Sequence, residues 1–325
     1  MSIIKPTAVI WKTRAKNSIK SMLDKVSNSN IELRPHFKTH QSSILGEWFR
    51  EEGVNKITVS SVEMAVYFAN HNWRDITIAF PINILEIQEI NSLAMKLDSL
   101  NLLVENTESI ECLENKLTKK VKIWIKIDIG YKRTGIYFEN FKEILVLVIK
   151  MKKTKNLEFI GLLTHAGHTY TQSNQRKREI FFSSLKKMTI LKQNLDREGF
   201  SNVKLSYGDT PSCSIIENFK GFDEIRPGNF VLYDLTQFTI NSCEEKDISI
   251  AIACPIVAKH KDRMEIIIYG GGVHFSKDYL KVDDSSESFY GYLVEKNADG
   301  TWGEINKTNY LKSINQEHRI FQQIH

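Results

Sequence analysis

Leu33-Arg-Pro-His-Phe-Lys-Thr-His40 closes the first of eight strand-like runs, and the residues after most of the others share its polar character. Side chains alternate along an extended segment, so this stretch predicts Arg34, His36, Lys38 and His40 on one face. A lysine crowded by cations gives up its proton more readily, and a neutral amine attacks carbonyls. Lys38 is therefore the central candidate of the chain. Working outward, strand-like runs fall at 31–34, 56–59, 75–80, 100–104, 121–127, 157–163, 203–206 and 222–225. Helical patterns separate most of them, including 62–70, 84–97, 141–152 and the long 174–198. Eight strands with helical crossovers in about 200 residues predict a (β/α)8 TIM barrel. A doubly wound open sheet is the alternative, but no G-x-G-x-x-G follows the first strand.

The barrel is expected over residues 12–235. Beyond Asp234 the segments turn β-rich, which predicts a smaller all-β domain at 236–325 joined by an N-terminal strand within 1–11. A chain of 325 residues, 42% hydrophobic and 26% charged, can bury a large core. Its net charge of +5 comes from scattered basic residues, a soluble surface and not a nucleic-acid stripe. Cys112, Cys213, Cys243 and Cys254 have no C-x-x-C spacing, so reduced thiols and a cytoplasmic location are expected. No run is apolar and long enough for a membrane span, and the first 11 residues read as a strand, with Lys5 and Pro6 interrupting it, and not as a secretory signal.

In a barrel, functional side chains collect where strands end at the C-terminal face. Strand one ends in His36, Lys38 and His40; strand five in Lys126-Ile-Asp-Ile-Gly-Tyr-Lys-Arg-Thr-Gly135; strand six in Thr164-His-Ala-Gly-His-Thr-Tyr170. Strand seven ends in Ser206-Tyr-Gly-Asp-Thr-Pro-Ser212 and strand eight in Arg226-Pro-Gly-Asn229. Each motif alone reads as an ordinary cap or turn; their convergence on one rim does not. Gly208, Thr210, Gly228 and Asn229 bring small residues and backbone N–H groups to the place where barrels hold phosphate. A lysine for an aldehyde, a phosphate cradle and a histidine to cover a ring suit pyridoxal 5′-phosphate.

With Leu163-Thr-His-Ala-Gly-His-Thr-Tyr170 and Glu224-Ile-Arg-Pro-Gly-Asn-Phe-Val-Leu-Tyr-Asp234, five motifs occur in order. The chain, from about Pro6 to His318, resembles the D-threonine aldolase and D-serine dehydratase group of the alanine racemase-like (fold type III) pyridoxal-phosphate enzymes. The resemblance implies that Lys38 carries the cofactor, Arg133 approaches its phenolic oxygen, and His165 lies against its pyridine face. It places the phosphate with Gly208, Thr210, Gly228 and Asn229, Arg226 near the ring nitrogen, and Tyr170 near the substrate. Lys38, His165, Tyr170 and Arg133 are then the catalytic candidates, and the implied activity is that of a lyase on a small D-3-hydroxy amino acid. An amino-acid racemase or a non-catalytic cofactor carrier on the same scaffold are the alternatives. A homodimer is implied as well.

One departure concerns metal. The group's zinc or manganese is held by a histidine and, two residues later, a cysteine or aspartate, after a Glu-His-Gly segment. Here Glu317-His318-Arg319 resembles that segment, with arginine for glycine, and the sequence ends at His325. The usual ligand pair is absent, and His325 is the one residue that could stand for the first ligand.

Overall fold

The computed structural model describes residues 3–276, 278–281, 288–316 and 318–323. Contacts divide the chain into two compact units, one of Lys16–Val231 with Ile240–Ser242, the other of Met1–Ala15, Leu232–Thr239 and Cys243–His325. In the order of the chain the strands are β1 (Thr7–Ile10), β2 (Glu32–Leu33), β3 (Lys56–Val59), β4 (Asp75–Pro81), β5 (Ser99–Val104), β6 (Val121–Asp128), β7 (Ile136–Tyr137), β8 (Leu157–Thr164), β9 (Lys204–Tyr207) and β10 (Glu224–Ile225).

The larger unit is the barrel. Its parallel strands pair in the order β2-β10-β9-β8-β6-β5-β4-β3, with β7 set against β6. Closure comes from a parallel bridge between His36 and Thr58, where Phe37 N donates to Thr58 O at 2.8 Å and Thr58 N to Pro35 O at 2.9 Å. β2 is shorter than the expected 31–34 because Pro35 lacks an N–H and ends the regular ladder. Helices wrap the strands: α1 (Lys12–Ser29), α2 (Ser43–Glu51), α3 (Val62–Asn70), α4 (Ile87–Lys96), α5 (Thr107–Lys116), α6 (Phe141–Lys152), α7 (Asn174–Arg197) and α8 (Thr210–Ile215).

Local chemistry sets where these helices begin. Side chains of Ser42, Ser61, Asn106 and Asp209 each accept from the backbone N–H three residues on, the N-cap arrangement. The single helix expected at 84–97 is instead a 3-10 turn, Ile84–Glu86, followed by α4. Asn83 accepts from Leu85 N at 3.1 Å and so starts a tighter turn first. On α7, Lys177, Ile180, Phe181, Ser184, Met188, Leu191 and Leu195 form one buried stripe at three- and four-residue spacing.

The smaller unit takes in β1 and, after the barrel, the five-residue helix α9 (Leu235–Thr239), then β11 (Ile250–Ala253), β12 (Ile256–His260), β13 (Glu265–Tyr269), β14 (Leu280–Lys281), β15 (Ser288–Phe289), β16 (Tyr292–Leu293), β17 (Asn306–Ile314) and β18 (His318–Gln323). β1 pairs antiparallel with β11, Thr7 opposite Ala253 and Ile10 opposite Ile250. A five-stranded sheet runs β12-β13-β18-β17-β16. Arg14 stacks 3.7 Å over the Trp11 ring, which meets Trp302 edge-on at 5.3 Å. None of the four cysteines forms a disulfide, and among the described residues no helix is long and apolar enough to cross a membrane.

Candidate active site

Lys38 does not stand in an extended segment. The strand ends at Leu33, and residues 37–40 form a turn, so the expected common face of Arg34, His36, Lys38 and His40 is not formed. Arg34 is buried, 4% exposed, and binds Glu224 Oε2 at 2.9 Å and Asp75 Oδ1 at 2.7 Å. His40 turns its ring into Phe37, 4.5 Å away, and stacks on Phe49. Its Nδ1 accepts from Ser42 N, and burial draws its pKa down to about 4. Neither residue is therefore a cationic neighbour acting on Lys38. His36 alone stays close, its Nδ1 3.4 Å from Lys38 N, and burial holds it neutral.

The cations that do act on Lys38 come from other strands. Lys38 is open to solvent along one side, yet surrounding protein desolvates its amine, and the charges of Arg133 and Arg226 add to the effect. All three lower its pKa, so the amine is neutral at a lower pH than an ordinary lysine.

β6 supplies the next group. The Asp128 carboxylate accepts from Gly130 N at 2.9 Å and Lys132 N at 3.1 Å, which folds the loop back on itself. Gly135 closes it at φ +107°, and a Cβ there would lie 2.8 Å from Asp128 N. Arg133 is thereby carried onto the rim, 5.1 Å from the Tyr131 ring. Tyr131 rests on Gly167, meets His165 edge-on at 5.9 Å and stacks on His168 at 5.8 Å.

Lys126 and Tyr131 belong to the strand-five motif, and the sequence assigns neither a role. The signal for Lys126 was its register: it lies two residues after Trp124, whose side chain belongs to the buried cluster with Leu103 and Leu163. Lys126 is 5% exposed, and its pKa falls to about 7 through burial, then the charges of Arg226 and Arg133, against the pull of Asp128 and Glu105. A folded pKa below the unfolded value means that folding expels a proton between the two. Stability from this residue should thus be lowest below about 7 and rise toward 10.5. Lys126→Met is expected to raise the denaturation midpoint, with a gain that shrinks as pH climbs through that window. A gain independent of pH would refute the assignment.

His165 ends β8. Its Nδ1 lies 2.6 Å from Gly208 O, which leaves Nε2 the unprotonated nitrogen of a neutral ring. Burial holds its pKa well below the usual value, helped by Lys126, Arg133, Lys38 and Arg226. Arg226 is buried; Nε donates to Ser206 Oγ and Nη2 to Thr164 O, both at 2.6 Å. Burial lowers it to about 10, with Glu224 the main opposing charge. Gly208 lies flat against it, a Cβ there meeting the guanidinium at 3.3 Å. Gly228 N and Asn229 N both point at Thr210 Oγ1, at 3.2 and 3.0 Å. Gly228 is pressed on the Lys38 turn, where a Cβ would sit 2.8 Å from His36 O. Gly228→Ala should cost about 1–3 kcal/mol in denaturant unfolding; no measurable cost would show that the turn moves freely.

Lys38, Arg133, His165 and Arg226 are thus within electrostatic reach of one another, and Thr210, Gly228 and Asn229 meet at one point. Tyr170, half-buried, occupies the 3-10 turn Gly167–Thr171 beside His168. Glu317 and His325 lie outside the described residues. Among those described, no three His, Cys, Asp or Glu side chains gather as a metal centre.

Similarity to known proteins agrees with this geometry. The pattern of the family described as alanine racemase, N-terminal domain, matches residues 13–235. The chain belongs to that family. A D-serine dehydratase of Dictyostelium discoideum is 25% identical over 293 residues, 84% of this chain and 74% of that protein. The structure of D-threo-3-hydroxyaspartate dehydratase from Delftia sp. HT23 superposes with a TM-score of 0.90 at 23% identity, covering 99% of this chain and 84% of that one. The D-threonine aldolase from Filomicrobium marinum gives 0.76 at 15% identity, covering 98% and 86%. The expected barrel and family are both borne out.

Proposed function

We propose that this chain is a pyridoxal 5′-phosphate-dependent lyase acting on a small D-configured 3-hydroxy amino acid. The observation that carries the reading is the meeting of an amine of lowered pKa, Lys38, with a neutral His165 and two guanidiniums at the C-terminal rim. The D-serine and D-threo-3-hydroxyaspartate dehydratases among its relatives support the substrate class.

The residues fit the cofactor. The N–H groups of Gly228 and Asn229 both point at the Thr210 hydroxyl, and Gly228 leaves no room for a side chain against the Lys38 turn. Gly208, Thr210, Gly228 and Asn229 would hold the phosphate, Lys38 the aldehyde carbon, Arg133 the phenolic oxygen and Arg226 the ring nitrogen. When bound, the cofactor supplies an electron sink for the substrate's α-carbon. The chain's own groups do the rest. His165, kept neutral, covers the ring without adding charge. The Lys38 amine takes a proton from Cα for loss of the hydroxyl, or from the 3-hydroxyl for carbon–carbon cleavage. Tyr170 stands on the substrate side.

The test combines spectrum and product. Incubation with pyridoxal 5′-phosphate should give a visible band that borohydride fixes as a stable adduct on Lys38. D-serine, D-threonine and L-alanine are then supplied, following pyruvate, acetaldehyde and enantiomer exchange. Pyruvate or acetaldehyde supports the lyase; exchange alone would transfer the reading to a racemase, and no band would overturn it. Loss of activity on chelation, restored by zinc or manganese, would add a divalent ion. A cytoplasmic homodimer completes the reading, and a monomer by light scattering at micromolar concentration would remove that part.

A further inference from the structure

Glu224 serves two guanidiniums at once. Its Oε2 accepts from Arg34 Nε at 2.9 Å, its Oε1 accepts from Ser206 Oγ at 2.6 Å, and Arg226 Nε lies 3.9 Å from Oε1. Ser206 gives its one proton to Glu224, so its lone pairs face Arg226, whose Nε donates at 2.6 Å. The chain of contacts continues through Arg34 to Asp75 Oδ1 at 2.7 Å and on to Asn101 Nδ2 at 3.0 Å. Every link from Arg34 to Arg226 is buried, with 4% exposure at Arg34, Glu224 and Arg226 and 0% at Ser206.

This arrangement is asymmetric. Arg34 has two carboxylates, whereas Arg226 shares one, reaches it through Ser206, and has its other hydrogen bond from Nη2 to the neutral Thr164 O. Lys38 and Lys126 lie within electrostatic reach of Arg226, and Arg34 is the cation that opposes its charge, against Glu224. Nη2 on Thr164 O and Nε on Ser206 Oγ together hold it flat against Gly208, next to the carbonyl that orients His165, and of the two only the Ser206 contact leads to a charge.

We infer that Ser206 and Glu224 are positioning residues for this site, Ser206 passing the carboxylate's pull to Arg226 Nε and so, with Thr164 O on Nη2, fixing where the guanidinium points. Their role in turnover rests on the lyase reading; their role in holding Arg226 does not. Ser206→Ala removes the link and keeps every charge; Glu224→Gln removes the charge and keeps the shape; Ser206→Thr keeps the hydroxyl and should behave as the parent chain.

The first measurement needs no cofactor. In protein labelled with ¹⁵N-arginine, the Arg226 Nε–H signal should exchange slowly with solvent in the parent chain. Ser206→Ala should speed that exchange by about tenfold or more, the scale of one lost hydrogen bond to a charged group. The second titrates pyridoxal 5′-phosphate by its visible band, where Kd should rise by a similar factor in Ser206→Ala and Glu224→Gln, with kcat falling more than KM rises. A parent chain with no band removes the lyase reading. A parent chain with a band, and variants whose exchange, Kd and kcat match it, overturns the inference. Faster exchange with unchanged Kd and kcat overturns it as well, since the tether would then be structural only. Glu224→Gln leaves two guanidiniums facing a neutral amide, so if it does not fold, Ser206→Ala decides.

Discussion

Lys38→Ala is expected to leave the barrel folded while abolishing the cofactor band and lowering turnover about a thousandfold or more. The side chain projects from a turn with one side in solvent, so its removal creates no core cavity. What it removes is the amine, and no neighbour can replace it. Lys126, also drawn toward neutrality, is buried in β6 and hemmed in by Arg133 and Arg226. Visible absorption after dialysis against pyridoxal 5′-phosphate checks the claim, along with circular dichroism for the fold. A Lys38→Ala protein that keeps a borohydride-fixable band would move the attachment point to another lysine.

Arg34→Met is the largest expected loss of stability, about 3–5 kcal/mol in urea or guanidinium unfolding. Methionine fills much the same space, so the cost is electrostatic. Glu224 would be left buried with a serine hydroxyl and a guanidinium 3.9 Å away, and Asp75 would keep only Asn101. An uncompensated buried carboxylate is expensive because water can no longer solvate it. A cost below about 1 kcal/mol would show that water or a shifted Arg226 compensates Glu224. Arg34 thus stabilises the barrel from within, a role quite unlike the one its neighbourhood in the sequence suggested.

That contrast shows how far the chain could be read. Alternating apolar runs and amphipathic stretches determined the barrel and the β-rich tail, because burial of a strand or helix face leaves a period in the sequence itself. The ordered strand-end motifs marked Lys38, Arg133, His165 and Arg226 for the same reason: in a barrel all strand ends meet on one rim, so position along the chain already implies proximity. What the sequence could not determine was which charge answers which. Arg34 and His40 lie four and two residues from Lys38 but face Glu224 with Asp75, and an aromatic cluster, respectively. The groups that lower the lysine's pKa are 95 and 188 positions further along the chain, at Arg133 and Arg226. Local spacing predicts a shared face only while the backbone stays extended, and a turn after Pro35 ended that. Distance through folded space, and the desolvation that comes with burial, set the charge state of each group, and both exist only once the strands have closed.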